Sequence, residues 1–154
     1  MQEIKLKKYI NQKNQIMKIF NTLEELHTEW EINGACKEGK KFNHSCKTLQ
    51  EVFEKCPLNF RLWRLRHGYT QFEKHCNWNE IQGSDWAKLL TYKSKYAKYC
   101  DWNKLDYYDW VMLLDNHPRF IKYCNAEMLG KLNWEYLIQR HPQLKVYKPK
   151  KFKS

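Results

Sequence analysis

The feature that most restricts how this chain can fold is a 24-residue unit written three times without a gap, from Cys76 to Tyr147. The copies begin at Cys76, Cys100 and Cys124. They read CNWNEIQGSDWAKLLTYKSKYAKY, CDWNKLDYYDWVMLLDNHPRFIKY and CNAEMLGKLNWEYLIQRHPQLKVY. Aligned, their apolar residues fall into columns. Trp86, Trp110 and Trp134 share one, Leu89, Leu113 and Leu137 a second, and Leu90, Leu114 and Ile138 a third. Steps of three and four place the three residues of each copy on one helix face. Asp85, Asp109 or Asn133 stands just before each Trp, and short polar side chains of this kind cap a helix start. Each copy therefore predicts a helix of roughly two turns, about 12 Å long.

A second short segment follows in every copy: Lys95 to Tyr99, Pro118 to Tyr123 and Pro142 to Tyr147. Proline suits a first helical turn, where its missing N–H would be unpaired anyway. Tyr96, Phe120 and Leu144 are expected to face the preceding helix. Asn77 and Asp101 open a further turn, anchored by Trp78 and Trp102 and closed by Ile81 and Leu105. One unit cannot bury these faces alone, whereas stacked copies share a continuous core. The predicted fold is all-α, a short-helix solenoid packed on an N-terminal helical bundle. The third copy has Ala126 in place of the turn Trp and Asn133 in place of Asp, which is the pattern of a terminal, capping repeat.

Upstream, Ile10, Met17 and Phe20 are spaced compatibly with a helix. Thr22-Leu-Glu-Glu25 then has the form of a capping box, with Leu23, Leu26 and Trp30 behind it and an expected end near Gly39. Lys40 to Ser45 is polar and reads as a loop. A second capping box, Thr48-Leu-Gln-Glu51, leads a helix with Leu49, Val52, Phe53 and Cys56 buried, stopped by Pro57. Leu58 to His67 carries Leu58, Leu62, Trp63 and Leu65 on one side and Arg61, Arg64 and Arg66 on the other, ending at Gly68. Phe72 lies 24 residues before Tyr96, so Tyr69 to His75 reads as a partial repeat. The expected organisation is one continuous helical domain over 1–154: a basic segment at 1–20, a helical part at 21–75, repeats at 76–147 and a basic tail at 148–154.

A chain of 154 residues has room for a real core. Seven Trp and ten Tyr against five Gly and four Pro favour helices with short connections. No apolar run approaches the roughly 20 residues that span a bilayer. The N-terminus, MQEIKLKKYINQ, lacks the apolar core of a secretion signal, so the expected setting is cytoplasmic. Six cysteines fit that setting if reduced. Cys76, Cys100 and Cys124 read as small buried residues. Cys36, Cys46 and Cys56, with His44 among them, invite a zinc site. No C-x-x-C pair supports one, and neither metal, cofactor nor disulfide is expected.

The net charge of +11 is unevenly placed. Residues 1–20 hold five lysines and one glutamate, and 145–154 hold five lysines and no acid, while 21–144 hold 18 basic and 16 acidic residues. Basic ends of this kind bind polyanions through counterion release, or serve as solubilising tails. Catalytic constellations are absent from the pattern. His117-Pro and His141-Pro recur, but Lys93-Ser94 replaces them in the first copy, which argues against a general base. Asp85 and Asp109 occupy equivalent positions and point the same way. No P-loop, G-x-S-x-G or H-E-x-x-H occurs. The chain does not read as an enzyme.

The text GACKEGKKF followed by SCKTLQEVFEKCPLNFRLWRLRHGY resembles a helical region of phage and bacterial proteins. There Ala-Cys-x-x-Gly precedes a Leu-Glu-Glu-like helix, and Cys-Pro then leads a Trp-containing helix. The tandem Cys-Asp-Trp-x-x-Leu and Asp-Trp-x-x-Leu-Leu units resemble repeats that follow that region, so the resemblance covers roughly residues 34–147. It implies a phage or mobile-element origin. By association it also implies an inhibitor of host defence of the anti-CRISPR kind.

Three functions remain. In the first, the chain is a monomeric inhibitor that binds a host defence effector protein or ribonucleoprotein, with Tyr92, Tyr107 and Tyr108 as anchors. In the second, it binds RNA or DNA directly. Arg61, Arg64, Arg66, Lys148, Lys150, Lys151 and the lysines from Lys5 to Lys18 would hold phosphates, and Tyr92-Lys93-Ser94-Lys95-Tyr96 would stack on bases. The third is a structural phage protein. None involves a membrane.

Overall fold

The structure, a computed structural model, describes residues 19–32 and 34–152. The protein is all-α, with no strand among the described residues. The chain divides into two compact units, Met1–Cys76 and Asn77–Ser154. The helix suggested by Ile10 and Met17 lies outside the described residues.

The described residues of the N-terminal unit hold four α-helices: α1 (Leu23–Ile32), α2 (Lys37–Ser45), α3 (Leu49–Lys55) and α4 (Leu58–Arg66). A 3-10 helix, Thr70–His75, follows them. Both predicted caps form, with one shared departure from the usual box. The Thr22 hydroxyl accepts the Glu25 amide at 3.1 Å, and the Thr48 hydroxyl accepts the Glu51 amide at 3.1 Å. The carboxylates of Glu25 and Glu51 reach one residue further back, to the amides of Asn21 (2.8 Å) and Lys47 (2.7 Å).

The boundary expected near Gly39 is wrong. Helix α1 stops at Ile32, and Gly34 turns the chain at φ +71°. The stretch read as a loop, Lys40–Ser45, belongs to α2. That helix buries only Gly39 and Asn43, so it has no apolar stripe to read. Its start is capped by sulfur, the Gly39 amide donating to Cys36 Sγ at 3.3 Å.

The core of this unit gathers Leu26, Trp30, Val52, Phe53, Leu62, Leu65, Tyr69 and Phe72. Phe20 is tied in from both sides, its amide donating to Gln71 Oε1 (2.7 Å) and its carbonyl accepting from Gln71 Nε2 (2.9 Å).

The C-terminal unit repeats one local design: a 3-10 opening turn, an α-helix and a 3-10 closing segment. The opening turns are Trp78–Glu80, Trp102–Lys104 and Ala126–Met128. The helices are α5 (Gly83–Tyr92), α6 (Tyr107–Asn116) and α7 (Lys131–Arg140). The closing segments are Ser94–Tyr99, Pro118–Tyr123 and Pro142–Tyr147. Each closing segment packs on the helix before it, α5 packs on α6, and α6 packs on α7.

Each helix has ten residues, about 15 Å, because it starts earlier than expected. Asp85, Asp109 and Asn133 are third residues, not caps. In α6 the cap is Asp106, and Asp106 and Asp109 exchange side-chain and backbone hydrogen bonds at 2.9 and 3.2 Å. An Asp-x-x-Asp pattern offers two possible caps, and the nearer one to the Trp is the wrong choice.

The Trp column and the first Leu column are fully buried, as are Tyr96 and Leu144, while Phe120 keeps only a sliver of exposure. Trp78 and Trp102 lean on the core with matching geometry. Trp78 stacks on Trp86 (5.9 Å between centroids) and Tyr99 (4.3 Å), and Trp102 on Trp110 (5.6 Å) and Tyr123 (4.4 Å). Ala126 ends this ladder, and the Trp134 indole instead donates to the Ala126 carbonyl at 3.2 Å.

The tail expected to be a free arm is folded over its described residues, 148–152. Lys150–Phe152 forms a 3-10 turn one repeat length after Ala126–Met128, Pro149 is buried, and Lys151 pairs with Glu127 at 2.5 Å.

Candidate functional site

The side chains proposed from sequence fall into three environments. Arg61 and Arg64 are interior. Arg61, on α4, donates to the carbonyls of Phe53 and Glu54 (3.2 Å each) and to that of His75. It thus satisfies orphan carbonyls at the ends of α3 and of the 3-10 helix Thr70–His75. Arg64 is 3% exposed, donates to Asn43 Oδ1 at 2.7 Å and to Cys56 Sγ, and lies 4.1 Å over the Trp30 ring. Burial pushes its pKa down, and burial likewise pushes the Cys56 thiol up. Neither arginine is placed to hold an external phosphate, which corrects that expectation. The sequence could not show it, because an arginine opposite an apolar stripe reads as solvated. Arg66 is half-buried with its Nε unpartnered.

Tyr92, Tyr107 and Tyr108 are exposed, as expected of anchors. The rings of Tyr107 and Tyr108 are 3.8 Å apart, and their hydroxyl contact pushes Tyr107 up to about 12. The stripe they belong to is wider than the sequence reading named. Steps of four along each helix align Lys88 and Tyr92 on α5, Tyr108 and Met112 on α6, and Leu132 and Tyr136 on α7. All six are exposed. Tyr108 and Leu132 occupy one repeat column, and Met112 and Tyr136 the next. Because α6 lies against both α5 and α7, the three stripes are neighbours on one surface. The column alignment carries this signal in its outward positions, which the recurring core columns do not mark.

Lys93, Lys95, Lys148, Lys150 and Lys151 divide differently. Lys93 caps α5, is half-buried and has its pKa lowered, first by burial and then by Lys95. Lys95 is exposed with its ammonium 4.8 Å over the Tyr96 ring. Lys150 is exposed, while Lys151 is occupied by Glu127. Lys148 follows the last closing segment. Lys5 to Lys18 lie outside the described residues.

The closing segments carry Lys95, Lys98, Arg119, Lys122 and Lys145, and residues 93–99, 117–123 and 141–148 contain no acid at all. Arg119 bridges to Ser94 Oγ at 2.5 Å, and Pro118–Tyr123 packs on Pro142–Tyr147. They form one basic edge, on which Tyr99, Tyr123 and Tyr147 recur half-exposed. The acids of this unit, such as Asp101, Asp115 and Glu127, sit at the caps and turns that open each copy and in the helices.

The recurring histidines are architectural. His117 Nε2 bonds the Thr91 carbonyl at 2.9 Å, and His141 Nε2 bonds the Asp115 carbonyl at 2.8 Å. Both clip one copy to the copy before it. Asp115 also takes the Tyr136 hydroxyl (3.1 Å) and the Arg140 guanidinium.

The six cysteines are free thiols, and burial pushes Cys100 and Cys124 each up to about 12. Cys36 is an exposed cap and Cys56 an interior partner of Arg64, so the ten-residue spacing of Cys36, Cys46 and Cys56 does not converge. Among the described residues no three His, Cys, Asp or Glu side chains are grouped to share a metal ion. No helix among them is long and apolar enough to cross a membrane.

Nothing among known protein families, curated proteins or solved structures matches this chain.

Proposed function

We propose that the protein is a non-enzymatic interaction protein whose partner docks on the outward stripe of α5, α6 and α7. The observation that carries this reading is the exposure of Tyr92, Tyr108, Met112, Leu132 and Tyr136 on one surface, where a helix in water would normally be polar. Stacked repeats present extended surfaces, and tyrosine and methionine are favoured at the centre of protein interfaces. The resemblance supplies the partner class: a nuclease complex of host defence, which the protein would inhibit by occupying it. The basic edge suits a partner with an acidic face.

The basic edge also favours a second reading, in which single-stranded nucleic acid lies along Lys98, Lys122 and the tyrosines that follow them. Lysine beside an aromatic face combines phosphate attraction with base stacking, and such binding weakens steeply with salt.

One experiment separates the two. Tagged protein is recovered from cells carrying defence systems, with and without nuclease, beside the variants Tyr108→Ser/Leu132→Ser and Lys98→Glu/Lys122→Glu. The first reading requires an effector that survives nuclease and is lost only from the Tyr108/Leu132 variant. Loss of all bound material on nuclease treatment, and from the Lys98/Lys122 variant, would put nucleic acid in its place.

A further inference from the structure

The N-terminal unit contains a cavity of about 240 Å³ that none of the functions above uses. It lies between the end of α1, the start of α2 and the length of α4. Its walls are Trp30, Phe60 and Trp63, with Cys36, Arg64 and Arg66 among them. Three features set it apart from a packing defect.

The first is its charge. Arg64 is interior, and its hydrogen-bond partners, Asn43 and Cys56, are neutral. Arg66 forms no hydrogen bond or ion pair among the described residues, and no carboxylate is paired with Arg64 either. Two guanidinium groups thus line one small cavity without a carboxylate: Arg64 rests on neutral partners and on the faces of Trp30 and Phe72, while the half-buried Arg66 is left to pair with an anion.

The second is the set of open donors. Arg64 Nε and Arg66 Nε are buried with no acceptor, and both residues line the cavity. Native interiors seldom leave two donors unmet in one place. The lining offers donors and aromatic faces and no acidic side chain.

The third is the shape of the walls. Two indoles and a phenyl ring suit a flat apolar body, and a few polar groups set among such walls are the usual make-up of a small-molecule site.

We infer that this cavity is a binding site for a small organic anion, a flat aromatic body bearing one carboxylate or phosphate. Arg66 is its anchor, with Trp30 and Trp63 against the ring. A guanidinium pairs with either oxyanion through two parallel N–H donors. Arg64 contributes charge from the wall, since its own donors are largely engaged. Cys36, the exposed thiol on the wall, reports occupancy.

The test is protection of Cys36 from iodoacetamide, read by mass spectrometry of its peptide in the full chain. The probes are benzoate, phenyl phosphate, benzamide and inorganic phosphate. At about ten times its Kd, a bound anion that shields the thiol slows alkylation about tenfold. The site predicts protection by benzoate or phenyl phosphate, with the better of the two naming the oxyanion. Benzamide and inorganic phosphate should give none, and Arg66→Met should lose the protection while keeping the wild-type melting temperature.

Failure of both aromatic anions overturns the inference. So does equal protection by benzamide or by inorganic phosphate, or full protection of Arg66→Met. If that variant melts early, Arg66→Lys is used instead: it keeps the charge, removes the bidentate fork, and should bind at least several-fold more weakly.

Discussion

The two units end their helices by different means. In the N-terminal unit the chain leaves α1 and α4 through glycines at positive φ, Gly34 at +71° and Gly68 at +91°. In the C-terminal unit no described glycine has positive φ. The residue after each helix is Lys93, His117 or His141, held at φ −137°, −139° and −135° with ψ between 75° and 78°. Glycine makes a stop that any neighbour can follow. A residue in this conformation stops the helix only if something holds it there, and at His117 and His141 the holder is a carbonyl of the previous copy. The first unit stops its helices locally, and the second stops them by stacking.

Their cores differ in the same sense. The N-terminal core buries Arg61, Arg64 and Asn43 in a network of unlike contacts, whereas the C-terminal core repeats Trp on Leu. Damage to one Trp column should therefore spread along the array. Trp110→Ala is expected to cost about 3–5 kcal/mol, the range for a buried large aromatic. Hydrogen exchange should quicken in α5, α6 and α7 alike while α1 to α4 stay protected. Exchange confined to α6 would mean that the copies are energetically separate.

Next in size is Gly83→Ala. A Cβ at Gly83 would sit 2.1 Å from the Lys104 carbonyl oxygen and 2.5 Å from Asp109 Oδ2, both in the next copy. Overpacking of this kind costs about 1–3 kcal/mol, whereas Gly130→Ala, in open space at the N-cap of α7, meets no clash and should lower the melting temperature less. Removing residues 148–154 takes away the buried Pro149 and the Lys151–Glu127 pair and should cost about 1–2 kcal/mol by loss of buried apolar area. A melting curve identical to wild type would return the tail to the status of a free arm. In the N-terminal unit, Thr48→Ala should cost about 1 kcal/mol, the worth of one helix cap, with no effect on exchange in the repeats.

The smallest effect is one of pH. Burial is the main cause holding the Asp109 carboxyl above its ordinary 3.8. A raised carboxyl favours the protonated fold, so this contribution is complete below about pH 3.8 and fades as pH rises through the folded value. Asp109→Asn, which copies Asn133, should flatten that part of the stability profile measured by denaturant titration. An unchanged slope would place the titration elsewhere.

Much of the C-terminal unit was legible because burial there follows the helix period. Trp86, Leu89 and Leu90 announce a face, and two further copies confirm the phase. What was missed lay where the period is silent. Helix α2 packs through a glycine and an asparagine, so hydropathy does not mark it. Arg61 and Arg64 are interior because carbonyls and aromatic rings surround their guanidinium groups, a circumstance that depends on α1, α2 and α3 together. The basic edge was only half visible. Lys95 was read beside Tyr96, but its company with Arg119 and Lys122 arises from stacking.

The contacts that join copies recur at nearly fixed chain separations: Lys104 to the Asn79 carbonyl, Arg119 to Ser94, Arg140 to Asp115 and Lys151 to Glu127. A chain built this way has a quantised length. Gain or loss of one whole copy keeps the spacing between neighbouring copies, and the turn at Lys150–Phe152 lies one such spacing beyond Ala126–Met128. A single inserted residue, by contrast, breaks the register of every clip whose two partners lie on either side of it. Change in such a gene is therefore expected to proceed by duplication of whole copies and by substitution on the outward columns, and the outward surface can be rewritten without touching what holds it up.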